Sequence, residues 1–194
     1  MNVASPIASV VPSVDGPVYA ALAGSAAPQT LTSVRRLAGR SLEGVRITLR
    51  RMVAAGLVLE VPGGYVLNRE HLAAPGIEYL CDLHGQLAER IRGSLDRWGG
   101  QVDLVGLFGS AARRDGDADS DIDVLVVSDA PDLDEFTGAL ADAIRRWTGN
   151  DAQVIGRSAS AVRRLVRTGE PIVSEWAQAM LVVRGSTRVL KSAA

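Results

Sequence analysis

Residues 101–128 read QVDLVGLFGSAARRDGDADSDIDVLVVS, and this stretch decides the fold of the C-terminal half of the chain. It opens with an apolar run, Val102 to Phe108, which predicts a buried strand. Gly109-Ser110 ends that strand and begins a short helix, SAARR, and DIDVLVV then predicts a second strand. The quoted stretch therefore predicts two strands separated by a hairpin's distance, with one helical turn between them.

Two aspartates stand at the start of the second strand. Side chains alternate along a strand, so Asp121 and Asp123 point to one face and Ile122 to the other. Adjacent carboxylates repel each other and lose hydration, and a divalent cation offsets that cost. Mg²⁺ favours carboxylate oxygen shared with substrate phosphate, so this pair is a candidate metal site.

The residues after the first strand have the chemistry of a phosphate site. Gly109 lets a phosphate approach the backbone, and the helix that follows offers free N–H groups to an anion. The Ser110 hydroxyl adds a donor, and Arg113 lies one turn further on, where it can neutralise a phosphate oxygen. Together with the aspartate pair, these residues predict a nucleoside triphosphate site.

This arrangement resembles the DNA polymerase β superfamily of nucleotidyltransferases, and the form GSAAR…SDIDVLVV is most similar to its minimal bacterial members. The resemblance covers roughly residues 86–185 and implies an α/β (α+β) domain with a small mixed sheet flanked by helices. It also implies transfer of a nucleoside monophosphate from ATP or another NTP to a hydroxyl group, with two Mg²⁺ ions. The residues in register with the motif are Gly109, Ser110, Arg113, Ser120, Asp121 and Asp123. The first four are the candidate nucleotide-binding residues, and the two aspartates would ligate metal.

Two positions depart from the family pattern. The minimal members commonly have glycine directly after the arginine, where this chain has Arg114. The superfamily's active enzymes place a third carboxylate on a later strand, and here the strand DAQVIG has Gln153 at that position. Asp151, two residues earlier, shares the face of Gln153 and is the candidate replacement in catalysis. The sequence is compatible with two alternatives, an active nucleotidyltransferase and a degenerate domain that binds nucleotide without catalysis.

The N-terminal region predicts three helices and a hairpin. The first helix is predicted at 15–24. The second is short, begins after an N-cap at Thr30 or Thr32 and runs through Leu37, and the third covers 42–55 with Ser41 as its N-cap. The runs LVLEV and YVLN follow, joined by Pro62-Gly63-Gly64. Three helices and a hairpin over residues 14–68 resemble a winged helix-turn-helix.

The second and third of these helices are basic. Six arginines against Glu43 leave an excess of five positive charges between Thr30 and Arg51. These arginines are Arg35, Arg36, Arg40, Arg46, Arg50 and Arg51. Arg46 and Arg50 lie four apart, away from the apolar stripe, as cations facing duplex DNA would. The alternative is a winged domain used only for protein contact.

The remaining composition limits the protein's class. The 194 residues are 47% apolar and 22% charged with net charge −1, as in a globular protein, and Cys81 is the only cysteine, which excludes an internal disulfide. Lys191 is the only lysine, which excludes a P-loop. No signal peptide or membrane span is recognisable, so we expect a cytoplasmic protein.

The predicted organisation is a flexible arm (1–13), the winged helix-turn-helix (14–68), a helical connector (69–98) and a nucleotidyltransferase domain (99–194). The predicted function is Mg²⁺-dependent nucleotidyl transfer with a DNA-binding winged helix. The alternative is a DNA-binding regulator or antitoxin-like protein whose transferase domain is degenerate. The expected partners are an NTP, duplex DNA and a protein partner or acceptor, without a membrane, and a homodimer is compatible with the sequence.

Overall fold

The computed structural model describes residues 1–191, which form two compact units. One unit comprises Ala4–His84 with Asn2, and the other runs from Gly85 onward and includes Met1 and Val3. Both contain helices and strands, so the predicted mixed α/β class is confirmed. Among the described residues, no helix combines the length and apolar character that crossing a membrane requires.

The C-terminal unit is built on a four-stranded mixed sheet. Its strands are β3 (Leu104–Phe108), β4 (Ile122–Val127), β5 (Ala152–Arg157) and β6 (Leu181–Gly185), in the order β5-β4-β3-β6. β4 pairs parallel with β5, whereas β3 pairs antiparallel with both β4 and β6. The two predicted strands of the quoted stretch are therefore the neighbouring central strands of this sheet.

Helices cover both faces of the sheet, which explains why β3 and β4 are apolar almost throughout. On one face, α5 (Leu83–Trp98) and α7 (Leu133–Thr148) contribute Ile91, Leu95 and Phe136 to a core with Val105 and Val124. On the other face, α8 (Ala159–Thr168) and α9 (Pro171–Gln178) pack Val162 and Trp176 against Phe108 and Leu125. The second face is the one on which Asp123 lies, because Asp123 pairs with Phe108.

The N-terminal unit contains three helices followed by a hairpin, in the predicted order. The elements are α1 (Asp15–Ala23), α2 (Leu31–Ala38), α3 (Leu42–Ala54), β1 (Val58–Val61), β2 (Gly64–Leu67) and α4 (Ala74–Cys81). Thr30, not Thr32, caps α2 by accepting from the Ser33 amide at 3.1 Å, and Ser41 caps α3. Their oxygens satisfy amides that have no partner within the helix.

The core of this unit follows the apolar stripe of α3 with one exception. Val45, Leu49 and Met52 recur at helical spacing and are buried, whereas Leu42, which continues the same spacing towards the N-terminus of α3, is 42% exposed. Leu42 occupies the first turn of α3, where a side chain can clear the neighbouring helices. Residues Pro6–Ser9 form a 3-10 helix with Ile7 buried, where the sequence predicted a flexible arm.

Candidate functional site

Asp123 and Gly109 are in direct contact where β3 passes into α6 (Gly109–Arg113). A Cβ atom added to Gly109 would lie 2.4 Å from Oδ2 of Asp123, and Gly109 has φ +63°. Both the backbone conformation and the space therefore require glycine here. The Asp123 carboxylate is thus held against the backbone beside Gly109-Ser110, so the acidic strand and the predicted phosphate-binding turn form one site.

The acidic pair forms a region of concentrated negative charge. Burial raises the pKa of the half-buried Asp123 above its usual range, and the charges of Asp121 and then Glu175 raise it further. Arg113 acts in the opposite direction. The shift has the direction expected for carboxylates that share one face, because each disfavours ionisation of the other.

The loop between α6 and β4 folds back over the site. A Cβ at Gly116 would lie 2.6 Å from the Ser120 hydroxyl and 2.8 Å from the Ser110 hydroxyl, so both serines face this glycine. The Ser120 hydroxyl donates to Asp117 Oδ1 and accepts from the Asp117 amide, each at 2.9 Å. This bond, followed by that from the Asp119 amide, lowers the pKa of Asp117. Ser120 therefore shapes the loop that precedes Asp121.

Asn150 holds the same loop, a role that the sequence does not reveal. It is 3% exposed, and its amide nitrogen donates to the carbonyls of Ala118 at 3.0 Å and Ser120 at 2.9 Å. Both carbonyls immediately precede Asp121 in the chain. Asn150 is thus a positioning residue, joining the end of α7 to the start of the acidic strand.

Arg113 is engaged by carboxylates. Its Nε lies 2.9 Å from Asp115 Oδ2 and its Nη1 lies 3.6 Å from Glu175 Oε1, and all three side chains are substantially exposed. Exposed ion pairs of this kind contribute little to stability, so a triphosphate can displace them. Glu175 comes from α9 and was not anticipated, because no local pattern marks one exposed acid on a distant helix.

Arg114 adopts a left-handed conformation with φ +58°, the only non-glycine residue with positive φ among residues 1–191. It caps the C-terminal end of α6, a position where glycine is favoured because it has no Cβ. This is also the position at which the minimal family members commonly have glycine. The departure noted in the sequence is therefore a backbone position where arginine is strained.

Asp151 directly precedes β5, and Gln153 is the second residue of that strand. Gln153 is in register with Asp123, and the Asp151 carbonyl accepts from the Ile122 amide at 2.9 Å. The Asp151 carboxylate forms an ion pair with Arg145 of α7 at 3.3 Å. The charges that shift the pKa of Asp123 come from Asp121, Glu175 and Arg113. A catalytic role for Asp151 remains a prediction.

The donor set of this site suits Mg²⁺ bound together with a nucleotide. Within residues 1–191, no three His, Cys, Asp or Glu side chains cluster as a complete metal site. Mg²⁺ is typically held by one or two carboxylates plus substrate phosphates and water, rather than by a cage of protein ligands. Two hard carboxylate groups next to a glycine that leaves the backbone accessible meet that requirement.

The predicted DNA-binding arginines lie on the surface of the N-terminal unit. Arg46 pairs with Glu43 at 3.1 Å, and Arg51 pairs with Asp15 at 2.5 Å. The others, Arg35, Arg36, Arg40 and Arg50, are exposed and make no ion pair with any described residue. The positive charge of these four arginines is therefore available to a ligand, whereas Arg46 and Arg51 each have a carboxylate partner.

The hairpin lies close to the same helix. Burial and Glu60 raise the pKa of Tyr65 in β2. The charges of Arg50 and Arg46 have a smaller effect in the opposite direction. Gln29 forms an isolated antiparallel bridge with Tyr65 through two backbone hydrogen bonds of 2.9 Å, next to β2 of the hairpin. The arginines of α3 and the hairpin thus form one continuous surface.

Residues 88–155 match the nucleotidyltransferase domain family. The matched segment contains every candidate residue from Gly109 to Gln153 but excludes Glu175. This match confirms the prediction of a nucleotidyltransferase.

Among solved structures, the chain is similar to a toxin–antitoxin complex with AMP-PNP, with a TM-score of 0.38, 17% identity, and coverage of 53% of this chain and 77% of that one. It is also similar to the tri-AMPylated Shewanella oneidensis HEPN toxin in complex with MNT antitoxin, with a TM-score of 0.35, 16% identity, and coverage of 54% and 75%. A third is the toxin–antitoxin MntA–HepT, with a TM-score of 0.34, 16% identity, and coverage of 54% and 74%. No curated protein matches the sequence.

Proposed function

We propose that the C-terminal domain transfers a nucleoside monophosphate from ATP or another NTP to a hydroxyl group, with Asp121 and Asp123 as metal ligands. The observation that supports this most strongly is the contact of the Asp123 carboxylate with Gly109. It brings the acidic face of β4 to the turn that carries Ser110. Metal and triphosphate sites must adjoin in this reaction, because the same cation contacts both carboxylate and phosphate.

Each residue has a defined part in this proposal. Gly109 leaves room for the phosphates, Ser110 presents a hydroxyl beside Gly116, and Ser120, whose hydroxyl donates to Asp117, holds the loop that faces them. Arg113 exchanges its exposed carboxylate partners for a phosphate oxygen. Two Mg²⁺ ions, when bound by the aspartates, supply positive charge that stabilises the attacking and leaving oxygens.

The reaction forms one bond and breaks one. The acceptor oxygen bonds to the α-phosphorus, the bond from that phosphorus to the bridging oxygen breaks, and pyrophosphate leaves. The acceptor's proton passes to a nearby carboxylate, for which Asp151 is the candidate. To act in this way, Asp151 must leave its ion pair with Arg145, and exposed pairs of this kind contribute little to stability.

The test is a nucleotide titration of Asp121→Asn with Asp123→Asn. We expect the double variant to lose Mg²⁺-dependent ATP binding in calorimetry while its circular dichroism spectrum is unchanged. Asp142→Asn, an exposed acid on α7, controls for general charge and should bind like the wild type. Equal affinity of the wild type and the double variant for Mg²⁺–ATP would refute the proposed site.

For the N-terminal unit, we propose a winged helix-turn-helix that binds duplex DNA through Arg35, Arg36, Arg40, Arg46 and Arg50. The support is the order of three helices and a hairpin, together with four exposed arginines that have no carboxylate partner among the described residues, namely Arg35, Arg36, Arg40 and Arg50. Ile47, 57% exposed beside Arg46 on α3, could contact a thymine methyl group. Such a helix reads base edges with a few side chains while the other cations contact phosphates.

One observation favours the alternative, a DNA-binding regulator or antitoxin-like protein with a degenerate transferase site. Gln153, which cannot accept a proton as a base, occupies the position in register with Asp123, and the Asp151 carboxylate pairs with Arg145. Incubation with radiolabelled ATP, Mg²⁺ and cell lysate separates the two. Label on any protein, RNA or small molecule supports the enzyme, and bound nucleotide with no label transferred supports the regulator.

A further inference from the structure

A second cavity of about 600 Å³ lies in the C-terminal unit, away from the candidate active site. One wall is α8, with Ser160, Arg163, Val166 and Arg167, and the other is the C-terminal segment, with Arg188, Val189 and Lys191. The volume is within the range of small-molecule pockets. None of the candidate nucleotide or metal residues lines it.

The cavity lies at the other end of the sheet. α8 begins just after β5, whose last residue Arg157 pairs with Val127 at the end of β4. The other wall follows β6, whose last residue Gly185 pairs with Leu104, which in turn pairs with Val127. Asp123 lies four residues before Val127, roughly 13 Å along the strand. Both walls therefore leave the sheet at the end opposite the carboxylates.

The charge of the lining is all of one sign. Arg163, Arg167, Arg188 and Lys191 contribute four cations, and no acidic residue lines the cavity within residues 1–191. None of the four forms an ion pair with a described residue, whereas Arg145 and Arg184 of the same unit pair with Asp151 and Asp96. Cations gathered without counter-charges repel one another, and a bound polyanion relieves that repulsion.

The walls are fixed by packing rather than by the charged side chains. Val162 of α8 and Leu190 of the Thr187–Leu190 3-10 helix are both buried in the core on the Asp123 face of the sheet. The Ser186 hydroxyl caps that 3-10 helix by accepting from the Arg188 amide at 3.3 Å. The cations are therefore displayed by backbone segments with defined positions, which lowers the entropic cost of binding.

We propose that this cavity binds a small ligand carrying at least two phosphate groups, at a site separate from the catalytic centre. Arginine suits phosphate because its planar guanidinium donates two parallel hydrogen bonds, and four cations can neutralise two or more phosphates. Val166 and Val189 offer apolar surface for a nucleoside, and Ser160 offers a hydroxyl. A nucleoside diphosphate and inorganic pyrophosphate share the required chemistry.

The test measures ADP and pyrophosphate binding by calorimetry in EDTA, so that no metal assists the aspartate site. We expect each ligand that binds to do so with a stoichiometry of one per chain. Its affinity for the double variant Asp121→Asn with Asp123→Asn should equal its affinity for the wild type. Arg163→Ala with Arg188→Ala should weaken binding by at least about tenfold, because two charge-assisted contacts are lost. Arg164→Ala, an exposed neighbour outside the lining, should bind as the wild type does.

The possible outcomes distinguish which ligand binds the cavity and which results overturn the proposal. Binding of both ligands shows that phosphate alone suffices, and binding of ADP alone shows that the nucleoside contributes. Failure of both to bind wild type, or equal affinity in the Arg163/Arg188 variant, overturns the proposal. The proposal is also overturned if the protein binds single-stranded RNA in a manner that requires Arg163 but binds neither ADP nor pyrophosphate. Loss of binding in the aspartate variant would assign the anion to the catalytic centre and also overturn it.

Discussion

At the residue scale, the open question is which carboxylate accepts the acceptor's proton. Asp151 shares the face of Gln153, which is in register with Asp123, but its carboxylate contacts Arg145. Glu175 reaches Arg113 from α9 and influences Asp123. We propose Asp151 because it lies two residues before Gln153, and its carboxylate must leave Arg145 to reach Asp123.

We expect Asp151→Asn to reduce nucleotidyl transfer by about 10²–10⁴-fold, the usual contribution of a general base. Nucleotide affinity should stay close to that of the wild type, since the variant keeps Asp121 and Asp123. Glu175→Gln is the matched comparison and should retain transfer. Full activity in Asp151→Asn together with loss in Glu175→Gln would move the role to Glu175.

A second residue-scale prediction concerns the single thiol. Burial, with a smaller effect from Glu78, raises the pKa of Cys81 to about 11. Because only the thiolate reacts, alkylation by iodoacetamide at pH 8 should be about a hundredfold slower than in the guanidinium-unfolded chain. The folded rate should rise tenfold per pH unit up to about pH 11. A rate at pH 8 equal to that of the unfolded chain would contradict this.

At the element scale, α6 and its C-terminal cap decide the geometry of the phosphate turn. The helix has one turn and ends at Arg114, whose left-handed conformation disfavours any side chain with a Cβ. The following loop is fixed by the Asp117–Ser120 bonds and by Asn150. The strain at Arg114 is therefore maintained by contacts on both sides of it.

Arg114→Gly is expected to raise the free energy of unfolding by ~1 kcal/mol, because glycine adopts positive φ without a Cβ clash. Chemical denaturation measures this. Gly149→Ala is the reverse control: Gly149 caps α7 at φ +77°, with no atom near the added Cβ, and should lose ~1 kcal/mol. A destabilised Arg114→Gly would mean that the arginine side chain makes a stabilising contact.

At the scale of the whole molecule, charges of opposite sign are concentrated on different elements. The chain is nearly neutral, with net charge −1, yet its unpaired arginines concentrate on α2, α3 and α8, and its acids on the loop before β4. Segregation of this kind separates a surface for polyanions from a site for metal. The net charge alone would have concealed both.

We expect duplex DNA binding to weaken steeply as salt rises, because bound cations release counterions from the phosphates. Arg46→Ala with Arg50→Ala should cost about 1–3 kcal/mol per base-contacting arginine, or reduce the salt slope if the contacts are to phosphate. Arg69→Ala is the control, since Arg69 is a similarly exposed arginine of the same unit that lies outside α2 and α3. Gel shifts measure the affinity. No shift at low salt on promoter-length duplexes, including the upstream region of the gene, would contradict DNA binding.

Local sequence determined most of the elements. The alternation around Asp121 and Asp123, the Gly109-Ser110 turn and the capping residues Thr30 and Ser41 act within a few residues, where steric limits and strand or helix periodicity decide the outcome. The predicted strands and helices of the C-terminal domain, and the adjacency of glycine turn and acidic strand, follow from these short-range rules. The resemblance to a nucleotidyltransferase follows from the same residues.

Tertiary structure decided which distant residues join them. Glu175 lies more than fifty residues beyond Asp123, and Asn150 holds carbonyls some thirty residues earlier. The four-cation cavity joins α8 to a segment beyond β6. Sequence periodicity does not predict these long-range contacts, because they depend on which helix packs on which face of the sheet and on the register of the strands. Burial of Val162, Trp176 and Leu190 sets that packing, and the charged side chains are placed as its consequence.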